Sequence, residues 1–272
     1  MFYLIDKPKG MTSFKTIKQF ARDNHIQKIG HTGTLDPLAT GLLLVASDDD
    51  TKLIDYIDKG FKTYHASLEL GKTSDTYDVD GNITITNQTI PAKELIVDTI
   101  NSFVCKQQQM PPIFSAKQVN GQRAYDLARK DQVVALKSVA VEVKSITNIH
   151  VDKIIEFDIE VSRGTYIRSI IHDLGTKLGC GAIMSDLRRT SIGDLTTEDI
   201  GKKINIFKLL TIPIIRTPEM QELIQGKRVK IKKEDGLYAL QYKDDIFGIV
   251  EVTNNVLIGK KLFGNKFNQE RF

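Results

Sequence analysis

The spacing of apolar positions changes several times along the chain, and each change predicts a different element. Residues 13–24, SFKTIKQFARDN, place Phe14, Ile17, Phe20 and Ala21 on one helical face, with Thr12 or Ser13 as the cap. Residues 62–70, KTYHASLEL, alternate instead: Tyr64, Ala66, Leu68 and Leu70 face one way and His65, Ser67 and Glu69 the other. Tyr64 therefore begins the inward face of a strand. After Pro91, AKELIVDTINSFV returns to helical spacing, with Leu95, Ile96, Ile100, Phe103 and Val104 inward and the proline at the first turn. The next stretch, QQQMPPIFSAKQVNGQRAYDLARK, predicts an extended segment, a turn at Asn120-Gly121 and a short basic helix.

Residues 154–162, IIEFDIEVS, set Ile155, Phe157, Ile159 and Val161 opposite Glu156, Asp158, Glu160 and Ser162, the pattern of a half-buried strand. This strand runs into RGTYIRSIIHDLGTKLGCG, where Tyr166, Ile167, Ile170, Ile171, Leu174 and Leu178 form a helical stripe closed by Gly179. Tyr166 and Arg168 fall at the strand-to-helix junction, from which side chains can be aimed into a cleft. Past Pro218 come three short strand patterns, LYALQYK, IFGIVEV and VLIGKKLF, separated by charged or Asn-rich turns. A domain boundary is placed there, and the mixture of elements predicts an α+β fold.

With 272 residues, 41% hydrophobic and 26% charged, the chain has room for one large domain and a small one. MFYLIDKPKG lacks a secretion pattern and no apolar run is long enough to span a bilayer, so the expectation is a cytoplasmic protein without membrane association. Cys105 and Cys180 stand apart from any metal-ligand spacing, which speaks against a zinc site or disulfide framework. The net charge of +4 is concentrated: residues 201–272 hold 14 lysines and arginines against 8 carboxylates. Such a basic segment suits a polyanion, and equally a solvated lysine-rich surface.

Two tempting motifs fail on their own chemistry. LGKTSD contains the Gly-Lys-Thr that ends a phosphate loop, but Ala66 stands where the motif needs its first glycine. TYDVDGNITITN has a calcium-loop glycine, yet its first and twelfth ligands would be Thr76 and Asn87. The stretch KIGHTGTLDPLATGLLLV, residues 28–45, is less easily dismissed. Its glycines and Pro37 could build a stiff turn in which Asp36 caps a backbone amide. That is the reading this stretch alone favours; the other is that the glycines let a bulky ligand approach while the Asp36-Pro37 step presents a carboxylate.

The choice is made by resemblance. GHTGTLDPLATGLL resembles the catalytic motif of the bacterial tRNA pseudouridine-55 synthase family, and four more blocks match in order: DKPKGMTS, GKTSDTYDVDG, MPPIFSAKQVNGQRAYDLAR, and SRGTYIRSIIHDLGTKLGCGA through LRRTSIG. The resemblance implies a pseudouridine synthase catalytic domain over residues 1–215, with a central mixed, mainly antiparallel sheet flanked by helices. It further implies a small β-rich, PUA-like RNA-binding domain over residues 216–272. The implied activity is isomerisation of a T-loop uridine in tRNA, by base flipping, with no cofactor, metal, guide RNA or obligatory protein partner. A monomer is the default expectation.

The resemblance also assigns roles. Asp36 is the catalytic carboxylate, acting either as nucleophile toward the sugar or as base on a sugar proton. Arg168 is its cationic partner, Tyr64 the platform for the flipped base, and Tyr166 a second pocket tyrosine near C5. His31 enters the RNA loop as the base leaves, the Leu187 backbone meets the uracil edge, and Asp78 lies near the pocket. Lys117, Arg123, Arg129, Lys130, Arg188, Arg189 and the C-terminal GKRVKIKK would suit the tRNA backbone. Two alternatives stand beside this reading: an RNA-guided relative of the dyskerin type, and a catalytically silent module that binds and refolds tRNA T-arms.

Overall fold

The computed structural model describes residues 1–58, 60–113, 118–119, 122–123 and 136–269. In chain order its strands are β1 (Phe2–Lys7), β2 (Ile29–His31), β3 (Thr40–Ser47), β4 (Lys62–Leu70), β5 (Lys72–Ser74), β6 (Ile83–Ile85), β7 (Lys106–Gln109), β8 (Gln118–Val119) and β9 (Gln122–Arg123). They continue with β10 (Val139–Val151), β11 (Ile155–Val161), β12 (Ala182–Ile192), β13 (Leu195–Thr196), β14 (Ile214–Ile215), β15 (Val229–Lys230), β16 (Gly236–Tyr242), β17 (Asp245–Thr253) and β18 (Val256–Leu262). The α-helices are α1 (Ser13–Asp23), α2 (Lys93–Asn101), α3 (Ile167–Lys177), α4 (Met220–Ile224) and α5 (Gly264–Gln269).

The large sheet runs β1-β3-β12-β4-β11-β10-β7, with β2 beside β3 and β13 beside β12. Among the described residues of this sheet only β12 and β3 pair in parallel, so it is the mixed, mainly antiparallel sheet that the resemblance implies. On one face, α2 and α3 cover Tyr64, Ala66 and Leu68 of β4 and Phe157, Ile159 and Val161 of β11. That apolar alternation fixes which side of the sheet can hold a site.

The run GLLLVA in β3 has a different cause. Leu43 and Val45 pack with Ile5 and with Ile17 of α1, whereas Leu42, Leu44 and Ala46 pack on the other face against Leu53, Ile249 and Phe263. A strand buried on both faces reads as a continuous apolar run rather than as an alternation. The second face of β3 is thereby shared with the C-terminal β-rich domain, whose sheet runs β14-β16-β17-β18-β15. Its own core gathers Leu223, Leu240, Val250 and Leu257.

Several expectations need adjusting. Phe14 is 62% exposed, with the Lys18 ammonium over its ring, because α1 docks through Ile17, Phe20 and Ala21 and leaves Phe14 off that face. Leu95 and Val104 are also exposed, the buried stripe of this region being Ile96, Ile100 and Phe103. Pro91 precedes the Ala92 cap of α2 instead of occupying the first turn. Thr12 caps α1, accepting from the Lys15 amide at 3.2 Å, which leaves Ser13 for another task. The turn at Asn120-Gly121 and the basic helix after it, with Lys117, Arg129 and Lys130, lie outside the described residues. Of Arg123 only the backbone is described.

Candidate active site

A cleft of about 590 Å³ opens where the loop before β3, the start of β4, the turn into α3 and the middle of β12 converge. That volume lies within the ordinary range for a site that encloses a small ligand. Asp36, Tyr64, Tyr166, Arg168 and Leu187 all line it, together with Lys62, Arg163 and Arg189. His31 ends β2 immediately before Thr32, which forms part of the rim. Asp78 stands behind the wall, buried beside Arg168.

Asp36 is held through the backbone on either side of it. The hydroxyl of Ser13 accepts from the Leu35 amide at 2.8 Å and donates to the Leu35 carbonyl at 3.0 Å. On the other side, the Pro37 carbonyl accepts from the Gly10 amide at 2.8 Å and from Lys7 Nζ at 3.2 Å. Lys7 also donates to the carbonyls of Pro8 and Met11, at 2.9 and 2.6 Å. Three residues of the DKPKGMTS block, Lys7, Gly10 and Ser13, thus form a bracket for the carboxylate. Gly41 completes it: with φ at +99°, and with a Cβ there driven into the Arg189 carbonyl, only glycine lets β3 approach β12.

With its backbone fixed, the Asp36 carboxylate is free for a side-chain partner. Among the described residues it caps no backbone amide; its Oδ2 forms an ion pair with Arg168 Nε at 2.9 Å. Arg168 is 5% exposed and Asp36 37%, so the arginine is built in while the carboxylate faces the cleft. The same guanidinium reaches Asp78 Oδ2 at 3.3 Å through Nη1, which also donates to the Thr76 carbonyl at 2.9 Å. Asp78 is oriented in turn by the Thr76 hydroxyl at 2.6 Å and the Asp80 amide at 3.1 Å. Its loop is docked on β12, where the Met184 amide donates to the Tyr77 carbonyl at 3.0 Å.

These charges perturb one another. Burial pushes the Asp36 carboxyl above the usual aspartate range; the Arg168 and Lys7 charges oppose the shift and the Asp78 charge adds to it. The Lys7 ammonium falls to about 8, first because it is buried, with the Arg189 charge lowering it further and Asp36 opposing. A carboxylate of raised basicity, open to a cleft and next to a fixed guanidinium, can attack carbon or take a proton.

Tyr64 comes from the inward face of β4, as its alternation predicts, and sits opposite Arg189 of β12. Tyr166 occupies the cap position of α3 and is clamped by a residue that sequence reasoning missed. Buried Gln109 donates from Nε2 to the Tyr166 carbonyl at 3.0 Å and accepts the Tyr166 amide at 2.8 Å. The Leu187 carbonyl accepts from Thr40 at 3.5 Å. Arg188 points away from the cleft and makes a two-pronged pair with Asp6, at 2.7 and 3.1 Å. Lys7 and Ser13 fall in the DKPKGMTS block, but no sequence signal gives them or Gln109 these tasks, because each acts on backbone atoms.

Comparison with known proteins identifies this arrangement. The fold matches a chain from an H/ACA RNP bound to a substrate RNA containing 2′-deoxyuridine, with a TM-score of 0.63 at 20% identity over 96% of this chain and 84% of the other. It matches a chain of a Cbf5-Nop10-Gar1 complex equally well, with a TM-score of 0.63 at 21% identity and the same coverage. Residues 21–167 match the N-terminal domain of the TruB family pseudouridylate synthases, and residues 168–205 match the C-terminal domain of tRNA pseudouridylate synthase B. The protein is therefore a pseudouridine synthase, an isomerase.

Within that class it belongs to the TruB family. The tRNA pseudouridine synthase B of Mycoplasma mobile is 42% identical over 99% of this chain and 96% of its own length. That of Mycoplasmopsis pulmonis is 44% identical over 99% and 97%, and that of Aquifex aeolicus 35% over 95% and 98%.

Proposed function

We propose that the protein isomerises the uridine at position 55 in the T-loop of tRNA to pseudouridine, as a stand-alone enzyme without cofactor, guide RNA or obligatory partner. Near full-length similarity to synthases named for tRNA supports this substrate. The observation that carries the reading is the Asp36 carboxylate, open to the cleft and paired at 2.9 Å with a buried arginine.

The reaction breaks the N1–C1′ bond, turns the uracil, joins C5 to C1′, and moves the C5 proton off as N1 takes one up. Asp36 acts on the sugar, as nucleophile or as base. Tyr64 supplies the stacking surface for the extruded base, Tyr166 packs near C5, and the Leu187 backbone meets the uracil edge. His31, at the rim, fills the gap the base leaves in the RNA loop. Arg168 keeps Asp36 ionised and aimed, and Asp78 anchors Arg168. Extrusion costs roughly a few kcal/mol, which stacking and edge contacts offset.

Residues 1–215 are assigned to catalysis and residues 216–272 to a PUA-like RNA-binding domain, where exposed Lys227, Arg228, Lys230, Lys232 and Lys233 meet tRNA phosphates. The reading takes the protein as a cytoplasmic monomer.

Tritium release from tRNA carrying C5-labelled uridine tests the proposal. Wild type is expected to release label from an unmodified T-loop without guide RNA; no release would leave a silent RNA-folding module or a guided relative. Asp36→Asn is expected to bind tRNA nearly as wild type and release no label. Substantial turnover by that variant would remove Asp36 from its role.

A further inference from the structure

Among the described residues the cleft wall carries Lys62, Arg163, Arg168 and Arg189 against a single carboxylate, Asp36. Arg168 is committed to Asp36 and Asp78. Arg189 is 1% exposed, yet its bonds are to two carbonyls: Nε donates to Leu42 at 2.7 Å and Nη2 to Gly33 at 3.2 Å. Among the described residues no carboxylate pairs with it, and its Nη1 donates to no acceptor. A guanidinium buried with only neutral partners is costly unless an anion reaches it.

Lys62 is the second member. Strand alternation places it on the same face of β4 as Tyr64, and it is 8% exposed. A methyl group built on Gly33 would stand 3.7 Å from Arg189 Nη1 and 4.0 Å from Lys62 Cε, touching nothing closer. The two cations therefore flank one small space over Gly33, within the cleft that holds Asp36 and Tyr64. Gly33 leaves that space open, and at this position alanine would fit without steric clash.

We infer that Lys62 and Arg189, with the open face of Gly33 between them, form an anion subsite for a phosphodiester flanking the extruded uridine. The inference rests on the proposed function, since a nucleotide that leaves the RNA stack brings its own phosphates into the cleft. Arginine supplies directional N–H donors to the phosphate oxygens and lysine a point charge. The subsite is a positioning device: it fixes the sugar relative to Asp36 and takes no part in bond making.

The test uses T-arm stem-loop RNAs in which the phosphate on the 5′ or the 3′ side of the target uridine is replaced by a neutral methylphosphonate. Dissociation constants are measured for wild type, Lys62→Gln, Gly33→Ala and Arg189→Gln. One of the two substitutions is expected to weaken wild-type binding about tenfold, the scale of a charge-assisted contact. The same substitution is expected to change binding by less than twofold in Lys62→Gln and Gly33→Ala. The salt dependence of binding by Lys62→Gln should fall by about 0.7 in slope, one phosphate contact to single-stranded RNA.

Equal sensitivity to the neutral linkage in wild type and both variants would overturn the subsite, as would no sensitivity in wild type. Arg189→Gln separates a structural role: a lowered melting temperature with unchanged methylphosphonate sensitivity also counts against the subsite. Label release by wild type from the unmodified stem-loop is measured alongside. Its absence defeats the proposed function, whereas normal release with no coupling defeats the subsite alone.

Discussion

Ser13 grips Leu35 from 22 residues away, its single hydroxyl accepting the Leu35 amide at 2.8 Å and donating to the Leu35 carbonyl at 3.0 Å. The residue so held is the one before Asp36, so the grip fixes the direction in which the carboxylate leaves the chain. Ser13→Ala is expected to lower single-turnover label release by about 10- to 100-fold, the cost of displacing a reacting group by about 1 Å. Binding of tRNA should stay within about twofold of wild type, because the hydroxyl is buried against the Leu35 backbone. Release at the wild-type rate would mean that the loop keeps its geometry without the serine.

Asp78 acts on Asp36 in two ways at once, and the two can be separated by pH. It anchors Arg168 at 3.3 Å, and its negative charge adds to the rise in the Asp36 pKa that burial begins. Activity that needs an ionised Asp36 therefore sets in above the usual carboxylate range. Asp78→Asn is expected to reduce plateau activity by roughly tenfold or more through the loosened arginine. It should also move the acid limb to lower pH, since one like charge is gone. A lower plateau with an unmoved limb would leave Asp78 as anchor only.

The raised Asp36 pKa also has a stability consequence. Its folded value lies above the ordinary 3.8, so the native state binds the proton more tightly than the unfolded chain. Stability from this group is complete below about 3.8 and is lost as pH rises through the folded pKa, leaving a penalty at neutral pH. Asp36→Asn is expected to raise the melting temperature at pH 7 by about 1–2 °C, a modest figure because the carboxylate keeps contact with solvent. The gain should shrink toward pH 4. Thermal melts of both proteins at the two pH values check it, and a variant less stable at pH 7 than at pH 4, relative to wild type, would reverse the sign.

The strand patterns of 62–70 and 154–162 were legible because each faces apolar cover on one side only. The same period argument misplaced Phe14, Leu95 and Val104, since a helical stripe says which residues share a face but not how wide an arc the neighbours cover. The apolar run after Asp36 signalled burial, while its cause, a strand covered on both faces, needed the C-terminal domain in place. Asp36 and Arg168 were reached through ordered motif blocks and Tyr64 through its strand alternation and the family resemblance, whereas residue type alone favoured Asp36 as a cap over a catalyst. Ser13, Gln109 and Lys7 were illegible for a common reason: their partners are backbone atoms, which look alike in every sequence.

Lys7 sharpens that point, because a lysine between an aspartate and a proline reads as surface yet is 0% exposed. Its ammonium donates to the carbonyls of Pro8, Met11 and Pro37, three acceptors that converge beside Asp36. Lys7→Met takes the donor from the Pro8 and Met11 carbonyls, while Pro37 keeps the Gly10 amide, at a cost of about 2–3 kcal/mol. The melting temperature is expected to fall by roughly 5–10 °C. Because burial lowers the folded pKa to about 8 from 10.5, the unfolded chain holds more protons between those values, and stability from this group rises with pH across that window. The melting-temperature gap between wild type and Lys7→Met should therefore widen from pH 8 to pH 10. Label release at a permissive temperature should fall far less than in Asp36→Asn, since Lys7 bonds only to backbone. A variant as stable as wild type but inactive would place Lys7 in the chemistry rather than in the bracket that holds Asp36.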